Sequence, residues 1–397
     1  MTEHTHSKLR AWWSHRQALD GRLSGQTAPR VLAETGWARS LGGVAPYLSL
    51  FSRAAISREN ADAAVRALDI HELPAARRCT YVVPASDFGL ALKLGQAVTG
   101  EEQTASKLGV TPKEIAKLCD AVLSKLSSGP LEPSELRDVL GSVVRNLGEQ
   151  GKRKGLTTTL PVALGKLQSA GEIRRVPLNG RLDQQRYRYQ LWRPNPLSNF
   201  KLSIEQCQVE LARRFFSWIA PATLAEFQSF SGLGVKAGKA AVEPLQLEPL
   251  PDLKDRLLLP EQRDAWESFR SPKEPQYALV SSLDAIAERR RNVTDLVDSA
   301  DLARKVPLEK GTAALGSLSD LPSHAILDRG RLIGLWEYDI TAQSIVWILF
   351  IKPDAALRNA VKRTEQFVRD QLGDARSVSL DTPKSRESKI AALRAGA

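Results

Sequence analysis

The sequence predicts an α+β protein, mainly α, built from tandem winged helix-turn-helix units and a small C-terminal β-rich module. Three observations carry this prediction. Helical patterns precede paired strand patterns in the middle of the chain, a similar order recurs further along, and strand patterns dominate the C-terminal portion. At roughly 100–200 residues per domain, a chain of 397 residues has room for several such units.

The central unit shows the pattern most clearly. Apolar residues recur at helical spacing from Leu136 to Leu147, and threonines that can cap a helix precede Leu160. Helix, loop, helix and β-hairpin is the element order of a winged helix. The predicted elements are a helix over 134–147, a basic loop over 148–155, a helix starting near Leu160, and strands over 173–178 and 186–192 joined by a turn at Asn179–Gly180.

The flanking segments predict two further units of the same kind. The downstream unit has a Thr223–Glu226 capping box, and the upstream unit is less regular. The downstream elements are helices over 204–219, through Phe230 and over 235–245, followed by a hairpin within 247–259. The upstream elements are helical segments within 29–51 and 57–68 and a strand over 80–83.

The C-terminal portion reads as a small β module with a covering helix. Its predicted elements are a hairpin over 325–338, a buried strand over 345–351, a helix over 353–372 and a flexible tail. The expected domains are therefore an N-terminal winged-helix-like domain (8–100), a central winged helix with a basic wing (101–195), a third winged helix (196–260), the β-rich module (261–373) and the tail (374–397).

The positive charge is concentrated in the central unit. The net charge is +11, and from Arg145 to Arg193 eleven basic residues face three acidic ones, so this segment carries +8. Such a cluster is either a solvated surface or a binding face for an anionic partner, with nucleic acid the first candidate and an acidic membrane surface the second. On the wing strand, Arg186 and Arg188 can meet phosphates while Tyr187 and Tyr189 pack inward. We therefore predict double-stranded DNA as the partner.

Cysteines and histidines point to no metal or cofactor. The three cysteines, Cys79, Cys119 and Cys207, are isolated, which disfavours a disulfide framework and a structural zinc. The five histidines lack ligand spacing and are expected at the surface or at helix caps. The longest apolar run, 345–351, is too short for a membrane span, and no signal peptide is visible. A cytoplasmic monomer without membrane contact is expected.

Four segments resemble the AlkZ/YcaQ-like proteins, bacterial DNA glycosylases built from tandem winged helices. LARRFFSWIAPATLAEFQSFSGLG (211–234) resembles their third winged helix, and PYLSLFSR (46–53) an N-terminal signature. LLLPE (257–261) and RLIGLW (331–336) resemble their C-terminal β module. The resemblance covers roughly residues 8–373. It implies excision of alkylated bases, including crosslinked ones, without a cofactor, on a duplex held in a concave basic surface. It also implies association with the bacterial nucleoid.

The family resemblance also implies a Gln-X-Gln or Gln-X-Asp motif that orients the attacking water, and this chain departs from it. The corresponding stretch, ETGWARSLGG (34–43), contains no glutamine. The candidate catalytic residues there are Glu34, Trp37, Arg39 and Ser40. Glu34 either orients water or is a surface carboxylate, Trp37 either stacks on a base or belongs to the core, and Arg39 and Ser40 can donate hydrogen bonds.

The predicted DNA contacts come from the basic segment and from two further arginines. Arg53 either faces the active cavity or pairs with an acid, and Arg77 either faces DNA or is a solvated loop residue. The full predicted set is Arg53, Arg77, Arg145, Lys152, Arg153, Lys154, Lys166, Arg174, Arg175, Arg181, Arg186 and Arg188. Three functions remain open: a glycosylase with altered catalytic residues, a non-catalytic DNA-binding protein that recognises lesions or regulates transcription, and a protein-interaction scaffold.

Overall fold

A computed structural model describes residues 3–96, 100–184 and 186–396. Its N-terminal region packs helices around a three-stranded antiparallel sheet of order β1-β3-β2. Trp12 and Trp13 of the first helix are buried. The elements are α1 (Glu3–Arg16), α2 (Ala28–Thr35), β1 (Ala38–Arg39), α3 (Ala45–Ala54), α4 (Arg58–Arg66), β2 (Ile70–Pro74), β3 (Thr80–Pro84) and α5 (Phe88–Gly95).

The central region is helical and ends in a two-stranded hairpin. Its apolar residues between Ala105 and Leu191 form a hydrophobic core of their own. Thr111 caps the longest helix by accepting a hydrogen bond from the Glu114 amide. The elements are α6 (Gly100–Lys107), α7 (Pro112–Leu126), α8 (Pro133–Leu140), α9 (Gly148–Arg153), α10 (Leu160–Ser169), β4 (Ile173–Pro177) and β5 (Tyr187–Leu191).

Three local predictions for this region are wrong. The helix predicted to reach residue 147 ends at Leu140, because Gly141 adopts a φ of +51° and the chain then turns away. The predicted basic loop over 148–155 contains α9 instead. The hairpin is not closed by a tight turn, since its last paired residues are Pro177 and Tyr187. The connection is longer because Leu182 reaches into the core of the N-terminal region.

The third region follows the sequence prediction closely. Thr223 and Glu226 form the capping box at the start of the second helix, and Gly232 ends that helix in the left-handed conformation. Trp218 of the first helix packs against Trp37, with ring centroids 5.5 Å apart, so this region shares a core with the N-terminal one. The elements are α11 (Ile204–Ile219), α12 (Leu224–Ser231), α13 (Val235–Val242), β6 (Glu248–Leu250) and β7 (Leu253–Leu258).

The C-terminal region contains an antiparallel sheet of order β13-β12-β11-β8, covered by helices. The predicted hairpin, buried strand and covering helix are all present. The elements are α14 (Arg263–Ser268), β8 (Tyr277–Val280), α15 (Ala285–Glu288), β9 (Lys305–Pro307), β10 (Thr312–Ala314), β11 (His324–Asp328), β12 (Arg331–Asp339), β13 (Ser344–Leu349), α16 (Ala355–Phe367) and α17 (Pro383–Ala395).

The segment after residue 373 is not a flexible tail. It ends in α17, whose Leu393 is fully buried. Lys389 of this helix pairs with Glu337 of β12 at 3.1 Å, and Arg386 pairs with Asp374 at 2.7 Å. Burial of an apolar side chain together with these ion pairs holds the segment against the sheet.

Two histidines also depart from expectation, since His71 and His324 are buried rather than at the surface. Nδ1 of His324 accepts a hydrogen bond from the Ser282 amide at 2.9 Å. Its Nε2 lies 2.6 Å from the carbonyl oxygen of Ala375, so His324 links the C-terminal sheet to the segment that precedes α17. None of the helices in the described ranges is long and apolar enough to cross a membrane.

Candidate nucleic-acid interface and active site

A cavity of about 420 Å³ lies where the N-terminal sheet, the β4–β5 hairpin and the segment before α17 meet. We call it the Glu72 cavity. It combines polar groups that can contact a nucleotide with an apolar rim, which is typical of ligand sites. Its walls are formed by Ser40, Leu41, Gly42, Glu72, Thr80, Arg175, Gln184, Tyr187, Val378, Ser379 and Leu380.

A serine and a glutamate face each other in this cavity. The Ser40 amide donates to the carbonyl oxygen of Thr80 at 3.0 Å, which extends the ladder of β1 by one residue. Because Ala38 and Glu72 both lie opposite Val82, Ser40 falls on the same sheet face as Glu72. Its hydroxyl donates to Glu72 Oε1 at 2.5 Å.

The carboxyl group of Glu72 has a pKa above its ordinary value. Burial raises its pKa, and the hydrogen bond from Ser40 and the charge of Arg175 oppose that rise only in part. A carboxyl whose pKa is moved toward neutrality is a better general base at physiological pH than an ordinary surface glutamate. Glu72 can therefore orient a water molecule and accept a proton from it.

The β4–β5 hairpin supplies a cation and an aromatic ring to the same cavity. The guanidinium carbon of Arg175 lies 4.5 Å from the ring centroid of Tyr187, a cation–π contact. Both residues are half-buried. A positive charge fixed beside an aromatic face suits the phosphate and the sugar of one nucleotide.

The predicted catalytic residues fall in different places, and Ser40 alone of the four lines the Glu72 cavity. Glu34 accepts a hydrogen bond from Arg22 at 2.7 Å and pairs with Arg30. Burial opposes its ionisation, but these arginines lower the pKa of Glu34 nevertheless. Glu34 is thus a paired helix carboxylate, one of its two predicted alternatives.

Trp37 and Arg39 lie on the opposite face of the sheet from Ser40. The Trp37 side chain is buried in the core, and its Nε1 donates to Asp87 Oδ2 at 2.6 Å. The guanidinium carbon of Arg39 lies 5.2 Å from the ring centroid of Tyr81. Alternation along β1 places these two side chains away from the Glu72 cavity.

The outer face of the β4–β5 hairpin carries the predicted phosphate contacts. Val176 lies opposite Arg188 in the antiparallel register, so Arg174, Arg186 and Arg188 share one face. Arg186 and Arg188 are exposed, while Tyr189 is buried on the other face. The hairpin thus has the basic outer and aromatic inner faces that its sequence predicts.

A family model described as "DNA glycosylase AlkZ-like" matches residues 38–363. The chain belongs to the AlkZ-like DNA glycosylase family. This membership confirms the resemblance found in the sequence and makes the chain a DNA-binding repair protein of the glycosylase class. The matched range contains Ser40, Glu72 and the whole β4–β5 hairpin, and it ends before residues 374–382.

A solved structure has the same fold. The structure of Streptomyces sahachiroi DNA glycosylase AlkZ aligns with a TM-score of 0.66 at 18% sequence identity, covering 95% of this chain and 99% of that chain. No protein among the curated sequences matches. Within the described residues of this AlkZ-like chain, no group of three or more His, Cys, Asp or Glu side chains is arranged to hold a metal ion.

Most of the basic residues predicted to contact DNA in this AlkZ-like protein are exposed. Arg77 is exposed and also donates to the carbonyl oxygen of Ser229 at 3.0 Å. Arg145 is exposed but pairs with Glu114 at 3.3 Å. The other exposed members of the predicted set are Lys152, Arg153, Lys154, Lys166, Arg186 and Arg188.

Two of the predicted DNA contacts are instead held in internal ion pairs. Arg53 is buried, and its guanidinium donates to both carboxylate oxygens of Asp284 at 2.7 and 2.8 Å. Arg181 donates to both oxygens of Asp183, at 2.8 and 2.5 Å. Arg53 thus pairs with an acid, one of its two predicted alternatives, and its buried guanidinium is held away from the surface where a phosphate would lie. For Arg181, two of the three guanidinium nitrogens, Nε and Nη2, already donate to Asp183.

Sequence reasoning missed Glu72, Thr80 and Gln184. All three lie outside the segment that corresponds to the family's Gln motif, on β2, on β3 and in the connection between β4 and β5. One signal was available, since Glu72 is a charged residue between the apolar residues Ile70 and Leu73. Such a residue needs either solvent or a polar partner, and in this fold the partner is Ser40.

Proposed function

We propose that this protein hydrolyses the N-glycosidic bond of an alkylated base in duplex DNA, including bases that form crosslinks, with Glu72 orienting the attacking water. The observation that carries the proposal is the Ser40–Glu72 hydrogen bond in a cavity beside β1. That strand lies in the stretch that corresponds to the family's Gln motif, and Glu72 supplies a carboxylate where this chain has no glutamine.

The reaction places few demands on the protein. Water adds through its oxygen to C1′, the bond from C1′ to the base nitrogen breaks, and its electron pair leaves with the base. An N7-alkylated purine already carries a positive charge, so taking the electron pair makes it neutral. Glu72 accepts the proton that water loses, and Ser40 keeps the carboxylate in a fixed orientation.

Charge near the sugar contributes as well. C1′ gains positive character as the base departs, and the anionic form of Glu72 stabilises it electrostatically. Arg175 lies in the same cavity and can hold the adjacent phosphate. The two opposite charges would fix the nucleotide between them.

We infer that residues 8–100, 101–195 and 196–260 are three winged helices and that the duplex lies across the central one. Helix α10 would enter a groove, and the outer face of the β4–β5 hairpin would follow the phosphates. The exposed arginines on that face support this arrangement. We expect the protein to act as a monomer.

The test is base release from a defined duplex. The purified protein is incubated with an end-labelled duplex that contains one N7-methylguanine, and alkali then cleaves any abasic site. We expect cleavage at the modified position and free N7-methylguanine in the supernatant by mass spectrometry. Binding of the duplex without base release would contradict the proposal for this substrate.

The second candidate function is a non-catalytic DNA-binding protein. Trp37 favours this candidate. Its side chain is buried and donates a hydrogen bond to Asp87, so it is unable to orient a water molecule at the sugar. The same assay separates the two functions, because this candidate requires binding of the duplex and no released base.

A further inference from the structure

Leu380 has an environment unusual for a large apolar residue. Its side chain is 84% exposed, the highest exposure of any large apolar side chain in the described ranges. It nevertheless lies at the wall of the Glu72 cavity. Keeping a leucine in water forfeits the stabilisation that burial would bring, so a function outside folding is the simplest account of its position.

We propose that Leu380 is a wedge that inserts between base pairs next to the damaged nucleotide and keeps that nucleotide displaced toward Glu72. This inference rests on the proposed function, because it assumes that DNA occupies the cavity. Apolar side chains that enter a base step unstack it and bend the duplex. Displacement of the altered nucleotide is the step that such a wedge assists.

A wedge must be rigid, and the backbone around Leu380 is fixed by a tight turn. The Asp381 amide donates to the carbonyl oxygen of Val378 at 3.1 Å, which closes a turn with Leu380 at its third position. Asp381 Oδ2 in turn accepts from the amides of Ser377 and Val378 at 3.0 and 3.1 Å. Leu380 therefore lies on a turn that is stabilised by the side chain of its last residue, Asp381.

This turn is also anchored to the N-terminal region. The Ser379 amide donates to the carbonyl oxygen of Leu41 at 2.9 Å, and the Val44 amide donates to that of Arg376 at 3.0 Å. Between these two bonds, Gly43 lies so close that a Cβ there would be 2.2 Å from the Ser377 carbonyl oxygen. A glycine is therefore required at position 43, because any side chain there would collide with the C-terminal segment that packs against it.

The C-terminal region also anchors the segment that leads into this turn. The Ser282 and Ser377 hydroxyl oxygens are 2.8 Å apart, and His324 contacts Ala375 as described above. Position and rigidity together favour DNA as the partner of Leu380, because the same cavity holds Arg175 and the Ser40–Glu72 pair.

The test measures base stacking and needs no turnover. The probe is a duplex with a tetrahydrofuran abasic analogue and 2-aminopurine as the neighbouring base, whose fluorescence rises when it unstacks. We expect wild-type protein to raise the fluorescence and Leu380→Ala to leave it near the value of free DNA, with affinity for this duplex about tenfold weaker. Leu380→Phe should retain the increase, because a phenyl ring also enters a base step.

The matched control is Ile340→Ala, which removes another exposed apolar side chain, on the turn between β12 and β13. It should behave as wild type, and all variants should melt at the wild-type temperature. An unchanged fluorescence increase in Leu380→Ala, or an equal loss in Ile340→Ala, would overturn the wedge. Failure of the proposed function would be seen separately, as absence of base release by wild-type protein.

Discussion

The hydroxyl of Tyr47 accepts a hydrogen bond from the backbone amide of Leu182 at 2.8 Å, which ties helix α3 to the connection of the β4–β5 hairpin. The same hydroxyl donates to Asp62 Oδ1 at 2.5 Å. Burial and the Asp62 carboxyl raise the pKa of Tyr47, so its proton stays in this bond at neutral pH. One phenol oxygen thereby joins the hairpin to the N-terminal region beside the Glu72 cavity.

Tyr47→Phe should destabilise the protein measurably. The change leaves the buried Leu182 amide and the Asp62 carboxyl without this partner, at a cost of about 1–3 kcal/mol. Thermal or urea unfolding measures the loss. Tyr277→Phe is the control, because the Tyr277 hydroxyl donates to Asp354 at 2.9 Å at an exposed site and water can replace it. Equal losses for the two variants would show that the Tyr47 bond has no special role.

Glu72→Gln should abolish most of the base release while DNA binding persists. The amide keeps the shape of the side chain and the contact with Ser40 but is unable to take a proton, and a positioned general base contributes roughly 10²–10⁴-fold to rate. Single-turnover release of N7-methylguanine measures the effect. In wild-type protein the rate should also fall as the pH drops through the raised pKa of Glu72, and this acid limb should be missing in the variant.

The control for this prediction is Glu365→Gln in the C-terminal region. Glu365 Oε2 accepts from the Ile345 amide at 2.8 Å, which the amide oxygen of glutamine can also do. Its base release should equal that of the wild type. Retention of full activity by Glu72→Gln would remove Glu72 from the proposed mechanism.

Charge reversal of Arg186 and Arg188 to glutamate should weaken binding to all duplexes about equally. Phosphate contacts carry no sequence information, and losing two should reduce the slope of log affinity against log salt by about two. Fluorescence anisotropy at several salt concentrations measures both. The matched control reverses Arg358 and Lys362 on α16, which are also exposed and change the net charge equally. If both double variants lose the same affinity, net charge rather than the hairpin face determines binding.

His71 should make stability depend on pH. Burial, with the nearby charges of Arg174 and Arg175, lowers the pKa of His71 to about 3 in the folded protein. An exposed imidazole titrates near pH 6.5, so below that pH the unfolded chain binds a proton that the folded one excludes. Stability should therefore fall as the pH drops from about 6.5 toward 3, by up to about 1.4 kcal/mol per pH unit from this group.

The measurement is urea unfolding between pH 5 and pH 8 for wild type and His71→Leu. At pH 8 titration of the imidazole does not contribute to the difference between the two proteins, since the imidazole is neutral in both the folded and the unfolded wild type. Between pH 6.5 and pH 5 the variant should show the shallower slope. Parallel curves would mean that His71 does not contribute to the acid sensitivity.

The local elements were largely predictable. Helix α11 has the predicted bounds, 204–219, and the Thr223–Glu226 box caps α12, because apolar spacing and capping act within a few residues. The basic outer face of β5 follows from strand alternation in the same way. Predictions failed where distant contacts intervened, as at Leu182 in the hairpin connection and at Leu393 in the segment expected to be flexible.

Local residue patterns alone indicate the family resemblance, the order of elements and the concentration of positive charge between Arg145 and Arg193. Which polar groups meet depends on tertiary packing. Ser40, Glu72 and Arg175 come from three separate segments, and only packing of the hairpin against the N-terminal sheet brings them to one cavity. Packing of the C-terminal region against α3 buries Arg53 against Asp284, and the turn that carries Leu380 leaves this leucine in water. The free energy of these distant contacts depends on docking of whole elements, which no local pattern encodes.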